Sequence, residues 1–160
     1  MITFITSIGE STTEICRDEL KRFGFDTMVI YGVESWIDKY RAFIYSATDK
    51  CIRIDADVIP NENIKELPDV YDMIQAHTYD IYRNDIGITS PVYYSKRAID
   101  FIKDNFDKLD KERPETSAWR LLQENGYSVS TIKYIVGVHG LYQRDEDIER
   151  HKKHKIDRKQ

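Results

Sequence analysis

Two hydrophobic periods alternate along the first third of the chain. The run ITFITSI (residues 2–8) is apolar and β-branched, and predicts a buried strand. In GESTTEICRDELKRFG the apolar residues Cys16, Leu20 and Phe23 recur at helical spacing. Ser11 with Glu14 forms a capping-box pattern at the start of this helix, and Gly24 is a C-terminal stop. TMVIYG (27–32) predicts the second strand. SWIDKYRAFIYSA (35–47) predicts a helix capped by Ser35, with Trp36, Tyr40, Ile44 and Ala47 on its inner face. CIRID (51–55) predicts a third strand ending on Asp55. A βαβαβ order implies a parallel sheet.

Downstream the pattern is looser. YDMIQA (71–76) and GITSPVYY (87–94) predict strands, and Pro91 predicts an edge or an irregularity in the second. SKRAIDFIKDNFDKL predicts a helix with Ala98, Ile102, Phe106 and Leu109 inward. PETSAWRLLQENG predicts another, opened by Pro114 and closed by Gly126. YSVSTIKYIVG (127–137) is the last predicted strand, and VHGLYQ the loop after it, holding His139 between glycines. From Arg144 the chain is almost wholly charged. The expectation is one α/β domain over residues 1–143 and a charged helix or tail over 144–160.

Composition narrows the function classes. A chain of 160 residues suits one domain. Its net charge of −4 argues against a chain that binds nucleic acid or membranes through overall charge. The basic run RHKKHKIDRK could draw such a partner, but the acidic DEDIE before it largely offsets it, and a solvated tail is favoured. No apolar run approaches a bilayer span, and Met1–Ile8 lacks the basic region of a signal peptide. Cys16 and Cys51 fit neither a disulfide nor a zinc spacing and read as reduced core thiols, so the expected location is cytoplasmic.

The chemistry concentrates at DADVIPNEN. Asp55 and Asp57 stand two residues apart where a strand leaves the core. Open parallel sheets collect ligands at the carboxyl ends of their strands. On extended backbone both carboxylates would point the same way and repel each other unless a cation joined them. Mg²⁺ and Mn²⁺ favour such oxygen ligands and share them with phosphates. The plain alternative is a solvated turn.

The segment DKYRAFIYSATDKCIRIDADVIPNENIKEL resembles the core of GT-A-fold glycosyltransferases, nearest in style to the glycogenin and bacterial galactosyltransferase group, over residues 36–67. Lys39 stands where that pattern carries a lysine. RNDIGITSPVYYSKRAIDFI is similar to the family segment with an asparagine and a glycine, here Asn84 and Gly87. RPETSAWRLLQENGYSV is similar to its acidic helix start near the acceptor, and His139 lies where several such families place a metal-binding histidine. The resemblance implies a minimal single-domain GT-A fold, with a Rossmann-like, mostly parallel mixed sheet flanked by helices. It implies transfer of a sugar from a nucleoside-diphosphate sugar, UDP favoured, to an acceptor the sequence does not identify, with Mn²⁺ or Mg²⁺. Asp57 would be the direct metal ligand, Asp55 would serve the ribose and the metal, and His139 would be the third ligand. Glu115 would be the general base, and Thr6, Ser7, Lys39 and Asn84 would contact the donor. Arg53, a charge inside the strand, receives no role.

Each role has a plainer counterpart. Glu115 suits the first turn of any helix, Lys39 any solvated helix face, and Thr6 and Ser7 any helix entry. A non-catalytic GT-A-shaped module that binds a nucleotide or a partner is the main alternative function. A D-x-D phosphatase is weaker, because Ile59 holds the position that its motif gives to Thr or Val. A sugar-nucleotidyltransferase would need a glycine-rich basic loop after the first strand, and TSIGESTTE has one glycine and no basic residue.

Overall fold

The computed structural model describes residues 1–33, 35–67, 70–146, 148 and 149. The first third forms the alternation that its periodicity predicts: β1 (Ile2–Ser7), α1 (Thr13–Arg22), β2 (Asp26–Tyr31), α2 (Trp36–Ser46) and β3 (Cys51–Asp55). Strand β1 pairs in parallel with both β2 and β3. Ser35 caps α2 by accepting the Asp38 amide at 3.4 Å. Helix α1 departs from the expected capping box. It starts at Thr13, and the hydroxyl of its N-cap Thr12 donates to the Ala56 carbonyl at 2.7 Å. That bond ties the helix entry to the Asp55–Asp57 segment instead of to the helix itself.

Beyond β3 the chain adds β4 (Val58–Pro60), β5 (Met73–Asp80), β6 (Asp85–Tyr94), α3 (Lys96–Asp104), α4 (Pro114–Glu124) and β7 (Val129–His139). The sheet order is β2-β1-β3-β6-β5-β7-β4. Strand β6 is antiparallel to β3 and β5, β7 is parallel to β5, and β4 is antiparallel to β7. The fold is a single mixed α/β domain, as expected.

Some expected features change. Strand β6 is internal, so Pro91 marks an irregularity and not an edge. Pairing with β3 runs only over Val92–Tyr94, and the β5 register shifts between Gln75 and His77. Where that ladder stops, the Ser90 hydroxyl accepts the Asp55 amide at 2.7 Å. The helix predicted through Leu109 ends at Asp104 and continues as a 3-10 turn over Phe106–Lys108. The last strand runs on to His139, which is therefore a strand residue and not a loop residue.

Side chains alternate across the sheet, so each strand feeds two cores. Phe4, Cys51, Val92 and Tyr94 face α2, α3 and α4, packing with Phe43, Ile99 and Leu122. Ile5, Ile52, Ile54 and Tyr93 face α1, packing with Cys16 and Leu20. At the charged C-terminal end, the Ile148 amide donates to the Arg144 carbonyl at 3.1 Å. Of the charged helix or tail expected over 144–160, residues 147 and 150–160 lie outside the described residues. Among those described, no helix is long and apolar enough to cross a membrane.

Candidate functional site

The period of two divides the candidate residues between the sheet faces. On β3, Arg53 and Asp55 alternate with Ile52 and Ile54, so both charges face the α2–α4 side. Arg53 is buried. Its Nη1 donates to Asp55 Oδ1 at 2.7 Å and to Thr6 Oγ1 at 3.1 Å. Its Nε and Nη2 donate to the two Glu115 oxygens at 2.9 and 2.8 Å. Glu115 also accepts the Tyr94 hydroxyl, and Tyr40 donates to Tyr94 at 3.2 Å. Thr6 donates to Asp55 Oδ1 at 2.9 Å, and Lys39 Nζ lies 3.8 Å from the same oxygen while resting 4.5 Å above the Trp36 ring. Burial alone would raise the Asp55 carboxyl. The charges of Arg53 and then Lys39, with hydrogen bonds from Arg53 and Thr6, hold it well below the usual carboxylate range.

The second group forms where β4 meets β7. Antiparallel pairing sets Val58 opposite His139, which brings the preceding residue, Asp57, to the imidazole. His139 Nε2 lies 2.9 Å from Asp57 Oδ2, across 82 residues of sequence. Parallel pairing of β5 with β7 sets Asp80 opposite His139, and Asp80 Oδ2 lies 3.4 Å from Nδ1. The Gly140 amide donates to the Asp57 carbonyl at 3.0 Å, and the Tyr82 ring stands edge-on to the imidazole, 5.7 Å between centroids. Burial alone would lower the His139 pKa. The hydrogen bond and charge of Asp57, then those of Asp80, hold it up at about 9. Nearby, Glu10 accepts from the Ser7 hydroxyl and the Ile8 amide, each at 2.8 Å. Burial pushes the Glu10 carboxyl up against those bonds, and the charge of Asp57 adds to the rise.

The three expected metal ligands therefore do not share one contact. Asp57 and His139 meet, while Asp55 is engaged by Arg53. The chain leaves extended geometry at Ala56 and Asp57, a turn between β3 and β4, so the two aspartates take different partners. Asp57 offers a hard divalent cation a buried oxygen: its Oδ1 has no hydrogen-bond partner among the described residues, while its Oδ2 meets the His139 imidazole, which would give up its proton to serve as a ligand. Among the described residues, no three His, Cys, Asp or Glu side chains are grouped for a metal. Water and phosphate oxygens would fill the other positions of such an ion.

The expected donor contacts separate as well. Thr6 faces Asp55. Ser7, one residue on, faces α1, with its hydroxyl 2.8 Å from that of Thr13. Lys39 is directed at Asp55 and is mostly buried, not solvated. Asn84 sits in the β5–β6 turn at a φ of 50° and accepts the Tyr79 hydroxyl. Sequence reasoning missed Arg53, Asp80, Tyr94 and Glu10. For Arg53 a signal existed: it occupies an inward position of β3, and Glu115 shares the inward stripe of α4 with Ala118 and Leu122. Opposite charges at two core-facing positions call for each other.

No family model and no curated protein matches the chain. Solved structures match across nearly its whole length. It is similar to 4-diphosphocytidyl-2C-methyl-D-erythritol synthase from Anaerococcus prevotii DSM 20548, with a TM-score of 0.59 and 12% identity, over 93% of this chain and 95% of that one. It is similar to a glycosyltransferase involved in glycosylation of the major capsid of PBCV-1, with a TM-score of 0.54 and 14% identity, over 93% and 98%. It is also similar to Rv0371C from Mycobacterium tuberculosis H37Rv in complex with manganese, with a TM-score of 0.54 and 10% identity, over 93% and 96%. At these identities the likeness shows a shared fold.

Proposed function

We propose that this chain is a cytoplasmic, metal-dependent glycosyltransferase that moves a sugar from a nucleoside-diphosphate sugar, UDP favoured, to a hydroxyl acceptor. The observation that carries this reading is the Asp57–His139 pair at the sheet rim, with a buried carboxylate oxygen that has no hydrogen-bond partner among the described residues. In this reading Asp57 and His139 would be the side chains that hold Mn²⁺ or Mg²⁺. Such an ion offsets the charge that builds on the leaving phosphate. Asp55, oriented by Arg53 and Thr6, accepts a ribose hydroxyl. Lys39, beside Asp55, faces the donor phosphates, and Ser7 and Asn84 border the donor on the α1 side and at the β5–β6 turn. Glu115 acts as a base toward the acceptor only once the Arg53 contact loosens, because both of its oxygens are engaged by Arg53.

That engagement also favours a second reading, a non-catalytic nucleotide-binding module of the same fold. One experiment separates them. The purified chain with Mn²⁺ is screened against UDP-, GDP-, CMP- and dTDP-sugars for donor hydrolysis and for thermal stabilisation. A transferase hydrolyses at least one donor slowly and is stabilised by it, by about 2.7 kcal/mol at a hundred times the dissociation constant. Asp57→Asn abolishes the Mn²⁺-dependent part. Stabilisation without hydrolysis of any donor supports the module, and no response to metal or nucleotide removes both.

A further inference from the structure

We infer that Arg53 is a positioning residue that reserves Asp55 and Glu115 for substrate hydroxyls and keeps both out of the shell of a divalent cation. Its placement is the argument. The Arg53 side chain is 9% exposed, whereas its partners Asp55 and Glu115 are 28% and 19% exposed. The guanidinium is the least exposed of the three, and the two carboxylates it holds keep part of their surface open to solvent. Four of its N–H···O contacts run to Asp55, Thr6 and both oxygens of Glu115, so it fixes two carboxylates on different elements.

A carboxylate paired in this way still accepts a hydroxyl hydrogen bond through its exposed lone pairs. Its transfer to a cation would take from a buried guanidinium one of the two carboxylates that balance it, which is unfavourable. Lys39 adds positive charge on the same Asp55 oxygen and repels a cation from it. Around Asp57 the balance is opposite. His139 meets two carboxylates, Asp57 and Asp80. Two aspartates two residues apart thus serve different chemistry: Asp57 a cation, Asp55 a sugar hydroxyl. Arg53 is the side chain that separates them.

The inference rests on the metal-dependent function proposed above, and its test distinguishes the two. Mn²⁺ binding to the full chain is followed by electron paramagnetic resonance of the free ion, with and without UDP. Asp57→Asn weakens Mn²⁺ binding at least tenfold, and Asp55→Asn weakens it less than threefold. The double variant Arg53→Met/Glu115→Gln removes one charge of each sign. It binds Mn²⁺ at least threefold more tightly than the parent, and Asp55→Asn in that background reverses the gain. If Asp55→Asn in the parent costs as much as Asp57→Asn, the inference is overturned while the metal-dependent function stands. A parent chain that binds no Mn²⁺ with UDP present overturns both. The comparison of the two single aspartate variants decides the matter even if the Arg53 double variant fails to fold.

Discussion

Arg53 of β3 and Glu115 of α4, 62 residues apart, form a two-point ion pair, with Nε 2.9 Å from Oε2 and Nη2 2.8 Å from Oε1. The pair joins the end of a central strand to the first turn of the helix packed against it. A glutamate in a first helical turn would by itself contribute only about 0.3–1 kcal/mol through the helix dipole. Loss of one partner of a buried pair costs about 3–5 kcal/mol. Glu115→Ala is therefore expected to destabilise the chain by about 3 kcal/mol, because Arg53 keeps Asp55. Urea unfolding measures this, and a loss below about 1 kcal/mol would leave only the dipole.

The His139 pair predicts a pH dependence for the metal-free chain. Its folded pKa of about 9 lies above the unfolded value of about 6.5, so the folded state holds the proton more tightly. The resulting stability is fully present below pH ~6.5 and is lost as pH rises through about 9. The whole effect is roughly 3 kcal/mol. Denaturant midpoints across that window should fall in the parent and stay nearly level in His139→Gln. A parent that is equally stable at both ends would show that the imidazole is not held as a cation.

Two glycines separate backbone strain from crowding. Gly24 and Gly140 have φ of +88° and +90°, a region that disfavours side chains, but only Gly140 has a neighbour in the way. A Cβ there would lie 2.8 Å from the Tyr82 ring that stands edge-on to His139. Gly24→Ala should cost about 1 kcal/mol and leave the site unchanged. Gly140→Ala should cost about 1–3 kcal/mol and shift the His139 ring resonances as Tyr82 is displaced. Identical His139 spectra in both variants would show that Tyr82 does not set the ring's position.

Asp72 is a structural counterpart to these site residues. Its carboxylate accepts the Ser95 hydroxyl at 2.9 Å, Arg97 at 2.7 and 3.0 Å, and the Ser128 amide and hydroxyl at 2.9 and 3.1 Å. It ties the starts of α3 and β7 to that of β5. Burial would raise its carboxyl, but the Arg97 hydrogen bond, then the Ser128 amide, lower it. Its contribution is therefore present above the unfolded pKa and is lost as pH falls toward and below it. Asp72→Ala should cost about 2–4 kcal/mol at neutral pH and less in acid. Chemical unfolding at pH 7 and pH 3 reads the difference, and an equal loss at both would place the effect in packing.

What the sequence determined by itself is local. The βαβαβ start, the Ser35 cap, the Pro114 and Gly126 helix limits, and the position of Asp55 at a strand end all follow from periods and caps within some twenty residues. Lys39 was legible as a helix residue, and only the packing of α2 on the sheet aimed it at Asp55. The tertiary structure decided everything that depends on non-local register. Pairing of β4 with β7 brought Asp57 to His139, and pairing of β5 with β7 brought Asp80 to the other ring nitrogen. The turn at Ala56 and Asp57 sent the two aspartates to different partners, although extended backbone would have aimed them together. Alternation across the sheet sent Thr6 to Asp55 and its neighbour Ser7 to Thr13. Spacing along the chain sets which side chains share an element face, but a contact between elements needs the register, and a shift of one residue turns every side chain of a strand to the opposite face.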